Sequence, residues 1–265
     1  MLRIVVHAGF HKTGTTTVQK TLRANARLLK PHLRVFLRQQ MRAVCESARI
    51  WSVSRSAEDM ARFRNEAELL AATWNANDPR PILLASEDLA GRMPGRRKLT
   101  EYDAVPTLMH GLVETITQVH PDANLQLYFS TRAAAPWLAS CHAQHLRAIR
   151  MVMDGEAYAE SYRSSAKLDA VIQAVTDAVY PVSVSRCALE TSSPRPLGPL
   201  TPLLDLLDFP AATRAQLLPQ AAANPRYDPS ILQALLDANR KYSDPDLLKA
   251  TKRAILSAAQ NRGPQ

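Results

Sequence analysis

The residues best suited to chemistry stand together near the start of the chain, in Gly9-Phe10-His11-Lys12-Thr13-Gly14-Thr15-Thr16. Lys12 carries a mobile point charge, and Thr13, Thr15 and Thr16 carry hydroxyl donors. Gly9 and Gly14 lack a Cβ, so the backbone there can turn tightly and approach an anion closely. This is the equipment for holding phosphate. The flanking segments fit it. The apolar run Leu2-Arg3-Ile4-Val5-Val6 reads as a buried strand, and Val18 to Ala26 reads as a helix. A strand, a short glycine loop and a helix start together aim backbone N–H groups and the positive end of the helix dipole at one point. A threonine-rich helix cap is the plain alternative.

The loop is not a regular Walker A motif, which places Lys directly after its second Gly and then Ser or Thr. Here Lys12 precedes Gly14 by two positions, and no Gly-Lys-Ser/Thr step exists to hold magnesium. A second basic element follows another apolar run. Leu125 to Thr131 reads as a strand, Arg132 closes it, and Ser140 lies eight residues on in the helix opened by Ala133-Ala134-Ala135-Pro136. Arg offers a charged fork to phosphate, and Ser adds a short hydroxyl donor. A third strand, Pro81 to Ala85, ends in Ser86-Glu87-Asp88. Ligands in parallel sheets bind beyond the carboxyl ends of strands, so Glu87 is a candidate general base and Asp88 its reserve. The carboxylates could equally cap the helix that follows. A carboxylate beside an anionic ligand is expected to have a raised pKa.

The step Lys12-Thr13-Gly14-Thr15-Thr16, joined to the Arg132–Ser140 pair, resembles the sulfotransferases that use 3′-phosphoadenosine 5′-phosphosulfate (PAPS). The resemblance implies a donor loop of His11, Lys12, Thr13, Gly14, Thr15 and Thr16. In it Lys12 would stabilise the leaving phosphate, and Thr15 and Thr16 would hold the 5′-phosphate. It implies a 3′-phosphate site at Arg132 and Ser140, further donor contacts at Asn224 and Arg226, and no metal. A glutamate base, as Glu87 would be, resembles the carbohydrate-type enzymes. Four departures stand out. Ala133-Ala134 replaces the family's Asp-Pro step. No Lys-Thr-His base segment and no Arg-Lys-Gly loop is present. Thr17 stands where many relatives stack an aromatic residue on adenine, which leaves Trp51, Trp74 and Trp137 as candidates for adenine or for the core.

Other features set limits. His11 offers a competing base. His142 and His145 share a helix face but have no clustered third ligand, so they read as structural or surface residues. The three cysteines, Cys45, Cys141 and Cys187, are few and scattered, the pattern of a reducing compartment. The formal charge is +9. Its basic residues are dispersed, which argues for capture of anionic small ligands over nucleic acid. The densest cluster is Arg92, Arg96, Arg97 and Lys98, which could recruit an acidic acceptor or form a solvated loop. No apolar run is long enough to span a bilayer, and no leader precedes the first strand, so the expectation is a cytoplasmic protein without integral membrane association.

The 265 residues suit one domain, with an α/β core over 1–191 and a helical tail over 198–265. Strands near 2–7, 81–86, 125–131 and 181–187 alternate with helices, which argues for a mainly parallel sheet covered on both faces. With the resemblance, the expected fold is a three-layer α/β sandwich of the P-loop nucleoside-triphosphate-hydrolase kind. The expected function is sulfuryl transfer from PAPS to a hydroxyl or amine on a small-molecule or glycan acceptor that could be anionic. A nucleotide-dependent kinase and a non-catalytic binding domain are the alternatives.

Overall fold

The computed structural model describes residues 1–220 and 228–260. Five strands, β1 (Arg3–His7), β2 (Arg34–Leu37), β3 (Ile82–Ala85), β4 (Asn124–Thr131) and β5 (Ser183–Ala188), form an all-parallel sheet in the order β2-β3-β1-β4-β5. The register places Val5 of β1 between Leu83 of β3 and Gln126 of β4.

Side chains alternate between the sheet faces, and each face is covered by helices. One face carries Val5, Leu83, Ala85 and Tyr128. It packs with Val18 and Leu22 of α1 (Thr15–Ala24), Leu29 of α2 (Ala26–Leu29), and Leu203 and Leu204 of α10 (Thr201–Leu206). The other carries Ile4, Val6, Ile82, Leu84, Leu127 and Phe129, all fully buried. On that side α3 (Arg42–Ser54), α4 (Ala57–Ala72), α5 (Val105–Val119) and α8 (Leu168–Val179) pack in series. The near-continuous aliphatic strands are what two-sided coverage requires.

The strand order creates a switch point. From β1 the chain crosses to β2 on one side, and from β4 it crosses to β5 on the other. β1 and β4 are neighbours, so their connections diverge and leave a crevice beyond their carboxyl ends. The loop 8–14 and Arg132 both belong to that crevice.

The chain divides into two compact units. The first comprises 1–133 and 167–223 and contains the whole sheet. The second comprises 134–166 and 224–265. The second is helical, built from α6 (Ala134–Ala148), α7 (Gly155–Ser161), α12 (Pro229–Lys241) and α13 (Pro245–Gln260). Within it the buried Asn239 donates to the Leu146 carbonyl at 3.0 Å, and Lys252 Nζ donates to the Ile149 carbonyl at 2.7 Å. Burial pushes the Lys252 ammonium down to about 8. The tail read at 198–265 is divided between the units at residue 223/224. Among the described residues no helix is long and apolar enough to cross a membrane.

Candidate functional site

The loop after β1 is built around two backbone conformations that few side chains tolerate. Gly14 sits at φ 96°, and a Cβ there would come within 2.7 Å of Leu189 Cδ1 and 3.1 Å of Pro199 Cγ. Lys12 also adopts a left-handed conformation, at φ 69°, which costs a non-glycine residue roughly 1–2 kcal/mol. Gly14 caps α1 without a side chain to satisfy the helix N–H groups. Among the described residues, the amides of Gly14, Thr15 and Thr16 meet no acceptor. Unpaired N–H groups on a helix start form an anion seat.

The three loop threonines divide their work. Thr15 and Thr16 make no side-chain hydrogen bond among the described residues, so their hydroxyls remain available to a ligand. Thr13 does not. It is fully buried, donates its hydroxyl to the Phe10 carbonyl at 2.6 Å, and lies 2.6 Å from Ser130 Oγ. With the Thr13 proton committed, Ser130 must donate to Thr13, and His7 Nε2–H must donate to Ser130 at 3.2 Å. This chain ties the loop to β1 and β4. Burial pushes His7 down to about 4, so it stays neutral near pH 7. The expectation that the Thr13 hydroxyl contacts phosphate is corrected: that group is part of the loop's foundation.

Arg132 is half-buried where β4 ends, and its Nη1 donates to the Lys12 carbonyl at 3.3 Å. The structure thus brings the two basic elements together at the switch point. The Ala133-Ala134 departure also has a local solution. Glu190, at the start of the helix after β5, accepts from the Ala133 amide at 3.3 Å and holds the turn that follows Arg132. Ser140 is half-buried on α6 and falls in the second unit, whereas Arg132 falls in the first. Asn224 and Arg226 lie outside the described residues.

Glu87 and Asp88 occupy a 3₁₀ turn after β3, capped by Ser86 Oγ, which accepts from the Asp88 amide at 3.3 Å. The capping role is therefore present. Glu87 accepts from Gln19 Nε2 of α1 at 2.7 Å, which sets it one turn beyond the helix start. Asp88 is buried beside two arginines and a histidine. Arg38 Nε donates to its Oδ2, Arg49 Nε lies 3.7 Å from Oδ1, and His11 Nε2 lies 3.8 Å from Oδ1. Burial alone would raise the Asp88 carboxyl, but His11, Arg38 and Arg49 more than offset it and hold it below the usual carboxylate range. The expected raised pKa is overturned for Asp88, which is a fixed anion and a poor base. His11 is oriented by Tyr102, whose hydroxyl lies 3.0 Å from Nδ1 and also accepts from the His11 amide at 3.2 Å.

The tryptophans named as adenine candidates are all buried: Trp51, Trp74 and Trp137. Trp74 stacks on His120, with ring centroids 5.7 Å apart. His142 and His145 are structural: His142 Nε2 donates to the Met153 carbonyl, and His145 Nδ1 meets Tyr158. Among the described residues no three His, Cys, Asp or Glu side chains group as a metal site. Sequence reasoning missed Arg38 and Arg49, which lie on or beside elements it did not resolve.

No protein-family model matches this chain, and no curated protein matches it. Among solved structures, a sulfotransferase from Alicyclobacillus acidocaldarius aligns over 100% of this chain and 97% of its own, with 14% identity and a TM-score of 0.49.

Proposed function

We propose that this protein transfers a sulfuryl group from PAPS to a hydroxyl or amine acceptor. The observation that carries this reading is the meeting of Arg132 with the Lys12 carbonyl, beside the unpaired amides of Gly14, Thr15 and Thr16. It sets a guanidinium and a helix-start anion seat in one crevice, as a donor phosphorylated at both its 3′ and 5′ positions requires. Lys12, Thr15 and Thr16 would hold the 5′-phosphosulfate, and Arg132 the 3′-phosphate. His11, fixed by Tyr102, would border the donor loop.

In the reaction the acceptor oxygen or nitrogen attacks sulfur, and the bond from sulfur to the bridging phosphate oxygen breaks. Glu87 would take the acceptor's proton, and the departing 3′-phosphoadenosine 5′-phosphate keeps the electron pair. Lys12 would stabilise the charge gathering on the bridging oxygen. Glu87 is preferred to Asp88 because Asp88 is committed to Arg38 and Arg49. The kinase alternative is weaker, since Gly14-Thr15-Thr16 offers no lysine after the glycine.

The test is calorimetric titration with 3′-phosphoadenosine 5′-phosphate in the absence of magnesium, with ADP and ATP as controls. Micromolar binding that is weaker for ADP and falls by one to two orders of magnitude in Arg132→Ala is expected. ATP binding that demands magnesium, or no binding of the bisphosphate, would overturn the reading.

A further inference from the structure

Beyond the donor crevice, the first unit carries a concave basic surface with a volume of about 400 Å³, lined by Arg23, Arg38, Gln39, Arg42 and Glu46. Arg23 lies eight residues past Thr15 on α1, roughly 12 Å along the helix axis, so the groove is clear of the phosphate loop. It is not clear of the proposed base. Gln19, which binds Glu87, precedes Arg23 by four positions and shares its helix face. Arg38 reaches the same place from the segment after β2 and binds Asp88, the residue next to Glu87. The groove therefore begins where the acceptor's reacting group must sit.

Its charge is lopsided. The guanidinium groups of Arg23 and Arg42 have no ion-pair or hydrogen-bond partner among the described residues. Glu46 is already engaged by Arg49 at 3.2 Å. Asp88 is shared between Arg38 and Arg49. Arg92 extends the positive band. Its guanidinium is held below the ordinary value, first by burial and next by the charge of Arg49. Unpaired guanidinium forks around a hollow match carboxylate, sulfate or phosphate oxygens in a way that scattered surface lysines do not.

We propose that the acceptor is itself anionic, and that Arg23, Arg38 and Arg42 bind its carboxylate, sulfate or phosphate group while its nucleophile faces Glu87. This rests on the transferase reading above and names the substrate class for it. The arginines then act by positioning the substrate: they hold one end so that the other is in place.

The experiment fills the donor site with 3′-phosphoadenosine 5′-phosphate and titrates three probes in 0.15 M salt: citrate for carboxylate, tripolyphosphate for phosphate and a heparin-derived disaccharide for sulfate. Sucrose is the neutral control, and a single-stranded oligonucleotide is a competing arm. At least one anionic probe is expected to bind with submillimolar Kd and to weaken tenfold or more in the double variant Arg23→Gln/Arg42→Gln. The bisphosphate should bind that variant within twofold of wild type, which also shows that it is folded. If no probe distinguishes wild type from the variant, or if the oligonucleotide alone does, this inference falls while bisphosphate binding still stands. If wild type fails to bind the bisphosphate, the transferase reading falls first and takes the acceptor assignment with it.

Discussion

Arg132 Nη1 donates to the main-chain carbonyl of Lys12 at 3.3 Å, although the two residues are 120 positions apart. The left-handed turn at Lys12 is met by a guanidinium from the neighbouring strand, so the same side chain braces the loop and adds positive charge to the crevice. Replacing it should cost donor affinity through both effects. Arg132→Ala is expected to weaken 3′-phosphoadenosine 5′-phosphate binding by one to two orders of magnitude, about 1.5–3 kcal/mol for a charged hydrogen bond. Arg132→Lys should recover little of it, because a single ammonium cannot serve the Lys12 carbonyl and a phosphate as a fork does. Equal affinity of Arg132→Lys and wild type would count against the shared role.

Lys12 should separate chemistry from binding. Its ammonium is assigned to charge that appears as the bond to sulfur breaks, whereas the amides of Gly14, Thr15 and Thr16 serve the ground state as well. Lys12→Ala is expected to reduce single-turnover rate by about a hundredfold to a thousandfold, with donor Kd changed less than tenfold. A loss confined to Kd would move Lys12 from the reacting oxygen to simple phosphate binding.

How much of this was legible in the sequence depends on burial. β1, β3 and β4 are aliphatic runs with sharp ends, and they lie within a few residues of their anticipated bounds. β2 escaped notice because Val35-Phe36-Leu37 is a short strand on the sheet edge, only partly buried, with no clear period to separate it from a helical turn. Missing β2 and α3 meant missing Arg38 and Arg49. No local signal announces that they converge on Asp88, because that neighbourhood is made by the β2-β3 pairing and the packing of α3 on the turn after β3. The role of Thr13 was misread for a similar reason. Its partner Ser130 is 117 positions away, and only the β1-β4 pairing brings it near.

Glu87 and Asp88 are adjacent in sequence and opposite in expected behaviour. Glu87→Gln keeps the shape of the carboxylate and its contact with Gln19, so turnover should fall sharply with little change in melting temperature. Asp88→Asn removes the charge that Arg38 and Arg49 share, and should cost stability with donor affinity nearly intact. The Asp88 carboxyl is depressed in the folded state. Its stabilisation is therefore present above the ordinary carboxylate range and fades as pH falls through and below that range. Thermal melts of both variants at pH 7 and pH 4 check this: the gap between wild type and Asp88→Asn should narrow in acid. Equal gaps at both pH values would contradict it.

His7 gives the loop an acid-sensitive foundation. In the unfolded chain its imidazole takes a proton near pH 6.5, but in the folded protein only near 4, because burial disfavours the charge. Between those values the unfolded state binds more protons, so stability falls as pH drops through this window. The full effect is on the order of 3 kcal/mol, from the size of the shift. His7→Gln supplies a donor near the position of Nε2 and can still reach Ser130 Oγ, but it does not titrate. Urea midpoints measured from pH 7.5 to 4.5 should therefore decline more steeply for wild type than for His7→Gln. Donor affinity should follow the same pattern, since the chain from His7 through Ser130 to Thr13 holds the loop in its binding shape. Parallel declines would mean that His7 takes up its proton over the same pH range in the folded and unfolded protein, and that the loop is anchored by Arg132 and Gly14 without it.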